Sequence, residues 1–295
     1  MNWVTYALLA ALLWACCNVI DKIILSKYIK RPLTVIIIYG FFSLLALVVV
    51  STAIGIQSFS AKDMGLAILA GMTITLMSIC YSYAIRREEV SKLIPLFSLG
   101  PVFIAVFAAI MLDEVFAPYK YLAILLILVG AVTLSTKKLG KLRFNTAFWL
   151  MVVAAACVAC TELLSKYLLR SHDFWSVFAY MRLGAVLAVI PIFLKEHDEL
   201  FGLIHKRKLK LMSIISFSAI LNILAILFVV IASSKGFVTF VNAITQVQPL
   251  FVLLLTILLG YTVPHMLKEE QSVKILVKKF GSISIVFAGS VLLII

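Results

Sequence analysis

Apolar residues in this chain neither alternate with polar ones nor keep to a single helical face. They run on for about twenty positions at a time between short polar breaks. A run of that length is what an α-helix needs to cross about 30 Å of hydrocarbon. The runs fall at 3–25, 33–56, 64–85, 90–112 and 119–135, then at 146–169, 174–194, 211–232, 237–260 and 275–295. Barrel strands would alternate in polarity, so the pattern predicts an all-α membrane protein with ten transmembrane helices. Trp3, Trp149 and Trp175 fall near the ends of runs, where the headgroup layer favours amphipathic rings. The first run has no basic residue before it and no small-residue cleavage pattern after it, so it reads as a helix rather than a leader.

The two groups of five runs resemble each other. The heptapeptide LSKYIKR at 25–31 returns as LSKYLLR at 164–170, an offset of 139. Pro101 in PVFI matches Pro249 in PLFV at an offset of 148, and Gly130-Ala131-Val132 resembles Gly289-Ser290-Val291 at 159. The offset grows where the second half has longer connections, at 195–210 and 261–274. The chain therefore divides into residues 1–139 and 140–295, each a five-helix unit. Five is odd, so the second copy must enter the membrane from the opposite side, which makes the halves inverted repeats with a site expected between them at the midplane. The prolines are expected to bend the helices around it.

Composition fits lipid as the solvent. The chain is 64% hydrophobic and 13% charged, with a mean hydropathy of +1.15, whereas soluble domains are about a quarter charged. All five cysteines lie inside runs, which argues against a disulfide framework; Cys157 and Cys160 spell CxxC without a second pair, and the four histidines have no metal-ligand spacing. No metal and no cofactor are expected. The net charge of +13 flanks the apolar runs, so it reads as contact with anionic headgroups rather than with nucleic acid.

A first span ending NVIDKIILSK, the junction YSYAIRREEVSKLIPLFSLGPVF between the third and fourth spans, and LDE closing the fourth span resemble the EamA family of the drug/metabolite transporter superfamily. The resemblance covers essentially the whole chain. It implies a 5+5 fold and a transporter, in a family that moves amino acids, metabolites, sugars and drugs. The family's fourth span commonly ends in Gly-Glu; here Asp113-Glu114 stands in that place, and the ninth span ends Gly260-Tyr261-Thr262 without an acid. The odd-numbered connections carry 20 Lys and Arg residues and the even-numbered ones 5. The positive-inside rule then puts the odd connections in the cytoplasm and both termini outside, whereas the resemblance implies termini inside. Location in the cell (inner) membrane is expected, and a monomer is compatible with the sequence.

Candidate chemistry lies within the spans, because polar groups in hydrocarbon are costly and tend to line cavities or helix contacts. Trp14, Asn18 and Asp21 fall at i, i+4 and i+7 on one helix face. Glu162 and Lys166 are at i, i+4 and able to pair. Arg182 is the most informative charge, since an arginine deep in a span faces water, an acid such as Glu162, carbonyl oxygens or an anionic substrate. Tyr180 is its neighbour, Tyr81 and Tyr83 point to different faces of the third span, and Asn222, Asn242 and Gln246 supply amides that bind ligand or join helices. Proton coupling would need a titrating carboxylate, for which Asp21, Glu162 and Glu114 are the candidates.

These residues fit a secondary transporter for a small solute, working by alternating access with proton coupling or exchange. A flippase for an anionic, phosphate-bearing lipid is the alternative on the same fold. No HExxH, GxSxG, paired-aspartate or P-loop motif occurs, so neither an enzyme nor a primary pump is expected.

Overall fold

The computed structural model describes residues 2–100, 102–103, 117–135, 145–205, 209–235, 241, 244–245, 247–262 and 272–294. Within them the chain is helical. The first half contributes α1 (Trp3–Lys27), α2 (Leu33–Ala53), α3 (Ala61–Ile85), a short α4 (Val90–Leu93) continuing as a 3₁₀ stretch (Ile94–Leu99), and α5 (Pro118–Ser135). The second half contributes α6 (Thr146–Leu168), α7 (Phe174–His205), α8 (Leu209–Lys235), α9 (Gln248–Thr262) and α10 (Val273–Ile294). Among the described residues six helices, α1, α2, α3, α6, α7 and α8, are long and apolar enough to cross a membrane. Of the fourth expected span, residues 101 and 104–112 lie outside the described ones. A helix is the economical solution in lipid, because it satisfies its own backbone hydrogen bonds.

Helix ends are fixed by polar side chains. Ser60 Oγ accepts from Asp63 N at 3.1 Å and Asn145 Oδ1 from Phe148 N at 2.9 Å, capping α3 and α6. Asp173 Oδ1 accepts from Ser176 N at 3.0 Å at the start of α7. The stretch 195–210, read from sequence as a longer connection, begins as a continuation of α7, which runs to His205 with a kink at Glu196 (φ −123°, ψ 17°). Its end is held by packing: Leu203 is buried in the largest apolar cluster with Leu211 and Ile215.

The halves interleave. The extensive helix pairs are α1 with α8, α3 with α6, α2 with α7, α3 with α7 and α5 with α10, and each joins an element before residue 139 to one after it. Small residues let these helices approach. Ala7, Ala11 and Ala15 are fully buried along α1, and so are Ala155 and Ala159 on α6. At the α5/α10 crossing a Cβ on Gly130 would sit 2.9 Å from Ser282 O and 2.5 Å from Val286 Cγ2, while one on Gly289 would sit 2.9 Å from both Ala123 O and Ile127 Cγ1. The two glycines and their contacts are related by the same offset of 159 that relates the sequences.

One pair of seams breaks this symmetry. The α3/α7 contact is extensive, whereas α2/α8, which takes its place when the halves are exchanged, is less than half as large. At the tight seam Gly71 and Gly184 bring backbone against backbone: a Cβ on Gly71 would lie 1.9 Å from Met181 O, and one on Gly184 2.0 Å from Ile68 O.

Polar contacts sort the connections onto two faces. Glu199, beyond the kink in α7, accepts from Lys30 N at 2.8 Å, Arg31 N at 2.9 Å and Thr34 Oγ1 at 2.8 Å. Asn145 Nδ2 donates to Glu88 Oε1 at 2.8 Å, and Lys279 Nζ to Glu89 Oε2 at 2.9 Å. The odd-numbered connections thus meet one another. At the other face Gln57 N donates to Ser176 Oγ at 2.8 Å, and His172 Nε2 lies 3.0 Å from Asp63 Oδ2, stacked on Phe59.

Candidate functional site

Three adjoining cavities lie between the helices, and Asn222 of α8 lines all of them. Its Oδ1 accepts from Trp14 Nε1 of α1 at 3.1 Å, so one hydrogen bond spans the two halves at the point where the cavities meet. The first cavity, of about 120 Å³, is bounded by Trp14, Met77, Glu162, Lys166, Asn222 and Thr245 among others. Another of about 120 Å³ shares Trp14, Met77, Glu162 and Asn222 and adds Asn18, Asp21, Tyr39 and Tyr81. A smaller one of about 30 Å³ is formed by Arg182, Tyr39, Ser43, Thr75, Ser78 and apolar neighbours. Most of the lining is apolar, with few convergent polar groups, as in sites for small organic ligands.

Asp21 is buried and held from both halves. Tyr39 Oη of α2 donates to Asp21 Oδ1 at 2.7 Å, Ser218 Oγ of α8 donates to the same oxygen at 3.0 Å, and the two hydroxyls are 2.8 Å apart. Beside it Cys17 Sγ reaches Ser218 O at 3.4 Å. One turn away Tyr81 Oη of α3 donates to Asn18 Oδ1 at 2.8 Å. Across the cavities Thr161 Oγ1 of α6 lies 2.8 Å from Thr73 Oγ1 and donates to Cys157 O at 3.0 Å. Arg182 is 2% exposed, and its guanidinium carbon sits 5.2 Å from the centre of the Phe178 ring. No ion pair joins it to Glu162 among the described residues.

Of the residues picked from sequence, Trp14, Asn18, Asp21, Tyr81, Glu162, Arg182 and Asn222 line the connected cavities. Tyr180 does not. Two positions before Arg182 on a helix points to the opposite side, and Tyr180 Oη donates to Gln57 O at 3.3 Å with its ring 4.7 Å from that of Phe59. Asn242, Gln246 and Glu114 lie outside the described residues. Tyr39 and Ser218 were not legible as site residues; the only sequence signal was a hydroxyl in the middle of an apolar run, at VIIIYGF and ISFSAIL. Lys22, counted as a connection charge, is buried, and its Nζ donates to Ile85 O at 2.7 Å and Glu88 O at 2.6 Å, closing the C-terminal end of α3.

Solved structures share this fold. One, titled "Crystal structure of protein", superposes with a TM-score of 0.62 at 13% identity, over 98% of this chain and 95% of its own, which speaks to the fold alone. No curated protein matches the chain. The model of the EamA-like transporter family matches residues 1–136 and again 145–266, on either side of the boundary between the halves. With six apolar helices of membrane-crossing length and a family match over most of its residues, this chain is a multi-pass membrane protein that belongs to the EamA-like transporter family.

Proposed function

We propose that the protein is a secondary transporter that carries a small organic solute across the cell membrane, residues 1–139 and 140–295 acting as inverted five-helix repeats that expose a central site to each side in turn. The observation that carries this reading is the set of adjoining cavities meeting at Asn222, walled by helices of both halves. The mutual glycine contacts of α5 and α10 support a two-fold relation between the repeats. The unequal α3/α7 and α2/α8 seams support alternation. In an inverted pair, tightening one such seam while loosening its counterpart changes which side reaches the site.

Asp21 is the acid best situated to couple a proton to this motion. As a carboxylate it accepts from Tyr39 of one half and Ser218 of the other. A proton on the shared oxygen would compete with both bonds and loosen the link between the halves. The experiment is reconstitution into liposomes loaded with a metabolite extract, with uptake and counterflow followed by mass spectrometry against empty liposomes and with a pH jump. The folded protein is expected to move at least one solute. Asp21→Asn is expected to lose gradient-driven accumulation and keep counterflow. A folded protein that moves nothing sinks the transport reading, and unchanged accumulation by Asp21→Asn removes the coupling role.

A further inference from the structure

Among the described residues four buried side-chain atoms have no hydrogen-bond partner: Arg182 Nε and Nη2, Asn18 Nδ2 and Asp173 Oδ2. The aspartate oxygen lies in the connection that leads into α7. The other three are N–H donors, and they belong to residues on the walls of the connected cavities. Buried donors left unmade are costly, and a buried cation more so. The interior is therefore short of acceptors in the place where a ligand would sit.

The geometry points to a specific acceptor. Nε–H and the adjacent N–H of Nη2 form one edge of the planar guanidinium, the edge that meets a carboxylate through two parallel hydrogen bonds. Phe178 lies 5.2 Å from the guanidinium carbon, a cation–π contact, and it leaves Nε and Nη2 without a hydrogen-bond partner. Among the described residues no carboxylate takes it either: Asp21, in the neighbouring cavity, is engaged by Tyr39 and Ser218. The space beside Arg182, about 30 Å³, exceeds the ~10–15 Å³ that one water needs. A flat two-oxygen group needs less of that space than a tetrahedral phosphate. Beyond Asn222 the larger cavities offer Trp14 and Met77 to an apolar body.

We propose that Arg182 is the carboxylate-binding subsite of the transporter, and that the solute is a small organic acid whose apolar body lies between Trp14 and Met77. This assignment rests on the transport reading above and narrows its substrate to one chemical class. Asn18 Nδ2 remains available to a further acceptor on the same solute.

The test is thermal unfolding of the purified protein in lipid nanodiscs with a matched panel. Benzoate, phenylacetate, 3-phenylpropionate, 4-methylpentanoate and indole-3-acetate are each compared with the corresponding primary amide and amine, and sodium chloride serves as the inorganic control. Stabilisation is expected from acids only, rising with their concentration. Arg182→Leu is expected to unfold at a higher temperature than the parent without ligand, because an uncompensated buried charge is gone. It is expected to bind the acids at least tenfold more weakly, with Arg182→Lys in between.

A structural arginine predicts the reverse, a lower unfolding temperature or no folded Arg182→Leu at all, and that result overturns the proposal. So do equal stabilisation by amides, unchanged acid binding in Arg182→Leu, saturation by chloride alone, or no stabilisation of the parent by any acid. The parent panel decides even where a variant is lost. Acid binding by a folded protein that moves no solute in liposomes would retain the subsite and sink the transport reading. Transport of neutral solutes without acid binding would do the opposite.

Discussion

Lys22 and Arg182 are both buried cations, 7% and 2% exposed, and the fold treats them in opposite ways. Lys22 sits near the end of α1, where its ammonium meets two carbonyl oxygens at the C-terminal end of α3. That is where a helix presents unsatisfied acceptors and the negative end of its dipole. Arg182 sits within α7 with two of its nitrogens unpartnered, beside a cavity. The surroundings repeat the contrast. Near Lys22 the neighbouring connection holds Glu89 between Lys92 and Lys279, and a large apolar cluster that includes Ile24, Ile85 and Leu203 seals the region. Around Arg182 a small cavity is walled by the hydroxyls of Tyr39, Ser43, Thr75 and Ser78, by Asn222 and by apolar side chains. A buried charge therefore has no fixed meaning: paired by the protein it joins helices, and left unpaired beside a cavity it awaits a ligand.

The comparison breaks most easily at Lys22. Lys22→Met removes two charge-assisted hydrogen bonds and uncovers the end of α3, a loss of about 3–5 kcal/mol. We expect a lower yield of folded protein and an unfolding temperature reduced by roughly 6–15 °C. A variant as stable as the parent would erase the distinction between the two cations.

Glu89→Gln comes next, at about 1–3 kcal/mol, because the amide keeps an acceptor but removes the negative charge that faces two buried ammonium groups. Partial burial by itself raises the pKa of Glu89; Lys92 and Lys279 outweigh it and hold the carboxyl well below its ordinary 4.5. A carboxyl lowered in the folded state contributes stability that is complete above the ordinary value and is lost as pH falls towards the lowered one. The parent's unfolding temperature is therefore expected to fall with acidification below pH 4.5. In Glu89→Gln that part of the slope is expected to be absent, and identical pH profiles would remove the ion pair from the account.

The smallest effect is expected at Phe178. Its ring orients the guanidinium through a contact of about 0.5–1 kcal/mol, so Phe178→Leu should weaken binding of an acid such as phenylacetate about two- to fivefold. A variant that binds the amide and the acid alike would show that orientation matters more than charge.

How much of this was legible differs from residue to residue. Trp14, Asn18 and Asp21 were readable as one face of α1 because helical spacing is local, and they do line one cavity. Their partners were not readable. Tyr39 and Ser218 reach Asp21 only because α2 and α8 close on α1 from different halves. Tyr180 was chosen for its nearness to Arg182 along the chain, whereas its ring faces Phe59. Lys22 counted as one of many connection charges, since nothing in NVIDKIILSK tells a lysine in water from one that closes a distant helix.

Sequence by itself determined the solvent, the lengths of the runs and the likeness between the two groups of runs. Apolar runs of about twenty residues admit no other environment, and the spacing between Gly130 and Gly289 already carried the offset later found in their contacts. Tertiary structure alone decided that each of these glycines packs on the other's helix, that the α3/α7 seam is more extensive than α2/α8, and that Lys22 is satisfied where Arg182 is not. The physical reason is range. Solvent preference and helix formation depend on residues within a few positions of one another, whereas the partner of a buried charge depends on which surfaces meet when the halves interleave.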